Sequence, residues 1–230
     1  MEKQNNKLVK LDFKNEEGFL NHLIESKTLP EHIKNKETAF VFLQYGRELG
    51  LQPMQALNNL IMIKGKISLP VRLMNGILRS HGIRVQTIKD GLYIYPDGKE
   101  SYIKIEGQKA LDIVTELLFT RKHDDGTIEE ERCIFTWSDA VKAGYADKDT
   151  YKTMPKAMLY ARCYSKGANR IAPDLTNGLY TTEQLIDDFN YNESKVVRDS
   201  EGFVTYVDVT EKIEPSSPRE PIEVEEVKPE

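Results

Sequence analysis

Apolar residues recur at helical spacing in several segments of the chain. Between 16 and 27, for example, apolar side chains follow Phe19 at i+1, i+4 and i+5 and so share one helical face. The helix boundaries are set by proline, which favours the first turn of a helix, and by glycine, which favours the position after the last helical residue. We expect Ser138 to cap one helix, and Thr181 with Gln184 to form a capping box for another. The pattern predicts helices over 16–27, 36–49, 53–60, 70–82, 137–144, 155–172 and after Thr181.

Runs of β-branched and aromatic residues between turn-forming dipeptides predict strands. Residues 61–69 indicate a hairpin with Lys64-Gly65-Lys66 at its tip. Three strands over 83–88, 92–95 and 102–105 would be joined by turns at Asp90-Gly91 and Asp97-Gly98. Residues 109–122 fit either a buried helix or a long strand, and the turn at 123–127 before a second strand favours a hairpin. The predicted fold class is α+β, a small antiparallel sheet with hairpins, packed by helices.

The composition changes after residue 190. The segment 191–230 is rich in charge, Ser, Pro and Val, and holds eleven acidic against five basic residues. Such a segment buries too little apolar area to offset its ordering entropy. We therefore predict one folded domain over 1–190 and a disordered acidic tail over 191–230.

Composition excludes several classes of protein. The chain has 230 residues, of which 39% are hydrophobic, and no apolar run approaches the roughly 18 residues that a membrane helix needs. Its first residues contain no signal-peptide core. Cys133 and Cys163 lack the spacing of a zinc site, and two cysteines make no disulfide framework. We expect a cytoplasmic protein without membrane association.

The net charge of −5 hides a segregation of charge along the chain. The acidic tail accounts for the deficit, and residues 1–190 are close to neutral. Within them, 47–84 carries six basic residues against Glu48 alone, and 151–172 carries five basic residues and no acid. Two such clusters favour contact with a polyanion such as nucleic acid.

The helix predicted over 155–172 places three cations on one face. Arg162, Lys166 and Arg170 follow one another at i+4, nearly opposite an apolar face that includes Tyr160 and Tyr164. Like charges at this spacing repel, so the stripe is either a DNA contact or a plainly solvated face. The Lys-Gly-Lys tip is open to the same two readings. The candidate DNA-binding residues are Lys64, Lys66, Arg72, Arg79, Lys152, Lys156, Arg162, Lys166 and Arg170.

The sequence gives little support for a catalytic site. There is no glycine-rich phosphate loop of the GxxxxGK[ST] type, and the four histidines stand apart. Cys163 has no partner histidine in its neighbourhood and is interpreted as a packing residue. We assign no catalytic residue, no metal site and no cofactor.

Two segments resemble phage single-strand annealing recombinases of the RecT/Redβ (Bet) superfamily. The first comprises YGRELGLQP at 45–53 and LNNLIMIKGK at 57–66, similar to that family's helix, Gly-Leu-x-Pro turn and hairpin. The second comprises WSDA at 137–140, MPKAMLYAR at 154–162 and PDLTNGLY at 173–180, similar to its Pro-x-x-Met-Leu helix and Gly-x-Tyr turn. The resemblance covers about residues 36–190.

The resemblance implies an ATP-independent protein of homologous recombination. Such a protein binds single-stranded DNA and the annealed duplex intermediate in a basic groove, and assembles into rings or helical filaments. The tail would recruit a phage exonuclease or a host single-strand-binding protein, or would compete with DNA for the groove. Two other classes stay open: a metal-dependent nuclease, and an adaptor of a phage recombination operon that does not bind DNA.

Overall fold

A computed structural model describes residues 13–33, 35–189 and 195–208. It has an α+β fold, as predicted. The helices are α1 (Phe13–Glu25), α2 (Lys36–Glu48), α3 (Pro53–Asn59), α4 (Val71–Ser80), α5 (Trp137–Lys142), α6 (Asp149–Thr153), α7 (Pro155–Ile171), α8 (Pro173–Thr176) and α9 (Thr182–Asp188). The strands are β1 (Ile61–Ile63), β2 (Lys66–Leu69), β3 (Arg84–Ile94), β4 (Glu100–Ser101), β5 (Asp112–Lys122), β6 (Ile128–Thr136), β7 (Tyr180–Thr181), β8 (Val196–Arg198) and β9 (Val204–Val207).

The larger sheet is antiparallel, with strand order β4-β3-β5-β6. Its long β5–β6 hairpin confirms that 109–122 contributes a strand. The two strands predicted over 83–88 and 92–95 are one, because Asp90-Gly91 lies in a bulge between Lys89 and Leu92 and not in a turn. The prediction of a strand over 102–105 was wrong, because these residues form no strand. The Ser101 hydroxyl donates to the backbone carbonyl of Ile103 and accepts from its backbone N–H. The chain therefore turns here, and β4 ends at Ser101.

A second sheet has the order β1-β2-β7. β1 and β2 form the predicted antiparallel hairpin, with Lys64 and Gly65 at positive φ in its turn. β7 pairs with β2 in parallel, Ser68 beside Tyr180 and Leu69 beside Thr181. This pairing, which the sequence did not predict, brings α9 next to the first hairpin and to the start of α4.

The segment after residue 190 contains a third sheet, the β8–β9 hairpin. Val204 and Val207 are buried with apolar residues of β1 and α9. The ordered fold therefore extends to residue 208, and the predicted boundary at 190 was wrong. A short hairpin of β-branched and aromatic residues, too small to fold alone, gains its stability from the existing core. The rest of the predicted tail, residues 191–194 and 209–230, lies outside the described part of the chain.

Two helix starts can be compared with the caps that the sequence suggested. Thr136, not Ser138, caps α5, and it exchanges hydrogen bonds with Asp139 in a capping box. Ser138 lies inside the helix, where its hydroxyl donates to Asp112 at 2.7 Å. The Thr181 hydroxyl accepts from the backbone of Gln184 at the start of α9, so Thr181 caps this helix as predicted. The predicted capping box was wrong, because the Gln184 side chain accepts from the Ser165 hydroxyl of α7 instead.

The long helix α7 lies at the centre of the fold, against β5 and β6. Tyr164 meets Phe119 of β5 edge to face, with ring centroids 5.3 Å apart. Gly167 lies against the same ring, and a Cβ there would come within 2.1 Å of the Phe119 side chain. A glycine therefore sets how closely α7 approaches the sheet.

Gly167→Ala is expected to destabilise the fold although it raises helix propensity. Alanine gains about 1 kcal/mol in a helix interior, but overpacking a dense core costs about 1–3 kcal/mol, and Phe119 is fully buried. Chemical denaturation should show a lower free energy of unfolding. The matched control is Gly76→Ala in α4, where nothing lies within 4 Å of the added Cβ. Equal stabilisation by both variants would contradict the close contact.

Candidate nucleic-acid interface

A cleft of about 580 Å3 opens between α4, β3, α7 and the turn of the β8–β9 hairpin. It unites Arg72 and Lys156, one cation from each of the two basic segments that stand far apart in the sequence. Its lining comprises Val71, Arg72, Asn75, Thr87, Asp90, Lys156, Ala157, Tyr160, Glu201 and Phe203. The cleft is thus the place where the predicted basic segments meet.

Helix α4 directs its polar face towards the cleft. Its buried side consists of the apolar residues Val71, Met74, Ile77 and Leu78. Arg72, Asn75 and Arg79 follow at i, i+3 and i+7 and so share the opposite face. The Asn75 side-chain oxygen accepts from Arg79 Nε at 3.0 Å and from the Tyr164 hydroxyl at 3.2 Å. This network fixes Asn75 between the outer surface of α4 and the core.

Two aromatic rings form part of the cleft. Tyr160 of α7 stacks on Tyr164 with centroids 6.0 Å apart, and it meets Phe203 edge to face at 5.8 Å. Burial raises the pKa of the Tyr160 phenol above its ordinary value, so the phenol is neutral at physiological pH. Both rings are half-buried. Their remaining surface lies beside the cations.

The bulge in β3 makes room for Lys156. Gly91 has a φ of +63°, and a Cβ there would lie 2.4 Å from Lys156 Cγ. The Lys156 ammonium donates to the carbonyl of Tyr102 and lies 5.3 Å from the centre of the Tyr93 ring. Lys156 thus lines the cleft with its stem packed on the β3 bulge, and its ammonium contacts Tyr93 and Tyr102, which are not cleft-lining residues.

Arg72 is paired with acids from the β8–β9 turn. Its guanidinium lies 2.7 Å from Asp199 Oδ2 and 2.7 Å from Glu201 Oε2. The same group stands 5.3 Å from the centre of the Phe203 ring. The cleft therefore contains carboxylates as well as cations.

The Lys-Gly-Lys tip forms a second cluster, apart from the cleft lining. The Lys64 and Lys66 ammonium groups lie 5.5 and 5.2 Å from the centre of the Phe189 ring, and Lys66 is also 5.2 Å from that of Tyr180. Both lysines are exposed. They stand at the end of β2 that points away from α4.

The predicted stripe on α7 was wrong at its first residue. The Arg162 side chain is only 10% exposed and bonds Asp187 at 3.0 Å and Asp188 at 2.9 Å. Leu159 and Cys163, which the helical spacing places on the same face as these cations, are buried. Helix α7 packs between the sheet and several helices and is therefore buried on nearly every side. The prediction assumed one buried and one solvated face, which this helix does not have.

The network around Arg162 is a buried ion-pair cluster. Its guanidinium lies 4.1 Å from the centre of the Tyr145 ring, and the Tyr151 hydroxyl donates to Asp187 at 2.8 Å. Burial is the largest single influence and lowers the pKa of Arg162, but Asp187, Tyr151 and Asp188 together outweigh it and hold that pKa above its ordinary value. Arg162 therefore ties α7 to α9 and is not available to a polyanion.

The remaining cations lie elsewhere on the surface. Lys166 is exposed on α7, and Arg170 pairs with Glu131 of β6 at 2.8 Å. Lys152 is exposed on the short helix α6. None of these three is among the residues that line the cleft.

Sequence reasoning missed the cleft residues that are not cationic. Phe203 was assigned to a disordered tail, although the run of β-branched and aromatic residues over 203–207 could have indicated a strand. Asn75 and Thr87 carried no signal of their own. Their place in the cleft depends on how α4 and β3 pack together.

Comparison with known proteins adds no relative. No protein-family model, curated protein or solved structure matches the chain. Among the described residues, no group of three or more His, Cys, Asp or Glu side chains could hold a metal ion. Within the same part of the chain, no helix has the length and apolar character to cross a membrane.

Replacing Arg162 is expected to destabilise the fold strongly. Arg162→Gln would leave Asp187, whose side chain is 3% exposed, with an incompletely compensated buried charge, which costs about 3 kcal/mol or more. Lys166→Gln and Arg170→Gln change exposed side chains and should each alter stability by about 0.5 kcal/mol or less. Denaturant unfolding of the three variants tests this. Similar stabilities for all three would contradict the buried ion pair.

Proposed function

We propose that this protein binds single-stranded DNA in the cleft between α4 and α7 and anneals complementary strands without ATP. The observation that carries the proposal is the meeting of Arg72 and Lys156, with Arg79 nearby, beside the rings of Tyr160 and Phe203. The resemblance to single-strand annealing recombinases supports the same function. The protein would act in the cytoplasm during homologous recombination.

The cations of the cleft suit the phosphates of a single strand. Arg72 projects from α4 and Lys156 from α7, so one cation lines each side of the cleft, and Arg79 follows Arg72 on the same face of α4. A single strand offers one phosphate per nucleotide to such groups, and each contact releases counterions from the strand. This mode of binding is independent of sequence, as annealing requires.

The aromatic rings add contacts that tolerate any base. Base stacking on an aromatic side chain is worth about 1–3 kcal/mol and is insensitive to base identity. Tyr160, neutral and held by Tyr164, and Phe203 offer such surfaces. A strand held by its phosphates and by a few stacked bases leaves the other bases able to test a complementary strand.

Assembly and partners belong to the same proposal. We expect copies of the chain to associate on DNA as a ring or helical filament, with the Lys64 and Lys66 cluster as an accessory phosphate contact. The tail would recruit a phage exonuclease or a host single-strand-binding protein.

Removing two cleft cations should weaken DNA binding and make it less dependent on salt. For Arg72→Gln/Lys156→Gln, the slope of log affinity against log salt should become shallower by about 1.4, or about 0.7 for each phosphate that the protein no longer neutralises. The control, Lys166→Gln/Arg170→Gln, removes the same charge outside the cleft. Fluorescence anisotropy of a labelled oligonucleotide measures both. Equal weakening in the two variants would contradict a specific role of the cleft.

Annealing is tested by mixing two complementary dye-labelled oligonucleotides with the protein in the absence of ATP. We expect the protein to accelerate pairing, and the Arg72→Gln/Lys156→Gln variant to lose that acceleration. Magnesium-dependent cleavage of the strands would favour a nuclease instead. Absence of any salt-dependent binding would favour an adaptor that does not contact DNA.

A further inference from the structure

The turn of the β8–β9 hairpin lies across one end of the cleft. On the α4 side, Asp199 and Glu201 both pair with Arg72. On the α7 side, Gly202 packs so closely that a Cβ there would lie 2.7 Å from Ala157 Cβ and 3.0 Å from Met154 Sδ. The turn, residues 199–202, thus bridges the two helices that carry the cleft cations.

Buried and exposed contacts hold different parts of this hairpin. In β9, Val204 directly after the turn and Val207 at the open end are buried, and the buried Glu183 carboxyl accepts from the backbone of Val204 at 3.3 Å and of Val71 at 3.2 Å. At the turn, the Arg72 side chain is 51% exposed, Glu201 is 68% exposed and Asp199 is 17% exposed. Ion pairs between exposed side chains contribute little to stability. Strand β9 is therefore fixed by burial, while the Arg72–Glu201 pair is exchangeable and Asp199 is the better-shielded partner of Arg72.

The carboxylates occupy positions that suit a phosphate. An arginine guanidinium binds carboxylate and phosphate oxygens with the same planar array of donors. Asp199 is presented in a defined orientation, because its Oδ1 accepts from the backbone of Glu201 at 2.8 Å and of Phe203 at 3.1 Å while its Oδ2 faces Arg72. The two carboxylates thus occupy the Arg72 donors that a phosphate of the strand would use.

We propose that the 199–202 turn is an autoinhibitory strap, whose carboxylates compete with DNA phosphates for Arg72 and are displaced when a strand enters the cleft. This inference rests on the proposed function, since it concerns access to the same cleft. It places the competing acids in the folded hairpin, in contact with the cleft, whereas the sequence pointed to the tail as a whole. Strand entry then requires the Asp199 and Glu201 side chains to leave Arg72 while β9 stays in place.

The test compares oligonucleotide binding by Asp199→Asn/Glu201→Gln and by the parental chain at low salt. The asparagine side chain retains the oxygen that accepts from the two backbone amides, so the turn keeps its conformation. We expect the variant to bind roughly three- to ten-fold more tightly, the range that exposed ion pairs support. Asp124→Asn/Glu130→Gln, in exposed positions of the β5–β6 hairpin, gives the same change of net charge as a control.

A second comparison isolates the contact with Arg72. In an Arg72→Gln background, removing the two acids should tighten binding by roughly two-fold or less, because the partner they shield is already absent. Equal tightening in both backgrounds, or equal affinity of Asp199→Asn/Glu201→Gln and the control, would overturn the strap and leave DNA binding in place. Failure of every variant to bind oligonucleotide at low salt would overturn the strap together with the proposed function.

Discussion

The packing of α7 against the larger sheet is the constraint on which the other features depend. Gly167 brings the helix onto the Phe119 ring, and Tyr164 closes the contact beside it. A helix held this closely is covered by the sheet on one side and by α4, α6 and α9 on the others. Its first turns, which carry Lys156 and Tyr160, reach the rim of the fold. The cleft forms where they face the polar side of α4.

The same packing decides which cations are accessible. A basic residue midway along α7 lies inside the protein, so Arg162 needs carboxylate partners, and Asp187 and Asp188 of α9 supply them. The basic residues near the ends of α7, and those on the outer face of α4, stay at the surface. Basic residues that look alike in the sequence thus fall into two groups in the fold: those held in structural ion pairs and those with access to solvent.

Sequence patterns predicted the local structure well and the cleft poorly. The helix ending before Gly50, the Lys64-Gly65 turn and the Thr181 cap each depend on a few neighbouring residues, and all three were correct. The bulge at Asp90-Gly91 and the β8–β9 hairpin depend on contacts with distant residues, and both were misread. Of the nine predicted DNA-binding residues, Arg72 and Lys156 line the cleft. Their meeting depends on the tertiary packing of α4 against α7, which no local pattern encodes.

The proposed function requires that a single strand lies in the cleft beside Tyr160 and Phe203. Ultraviolet crosslinking of an oligonucleotide to the parental protein, followed by peptide mass spectrometry, tests it directly, since crosslinks form where a base contacts a side chain. We expect crosslinked peptides from α4, the start of α7 and the β8–β9 hairpin, with Tyr160 or Phe203 as the modified residue. Crosslinks confined to the exposed surface around Lys166 and Arg170, or to the Lys64–Lys66 tip, would contradict it.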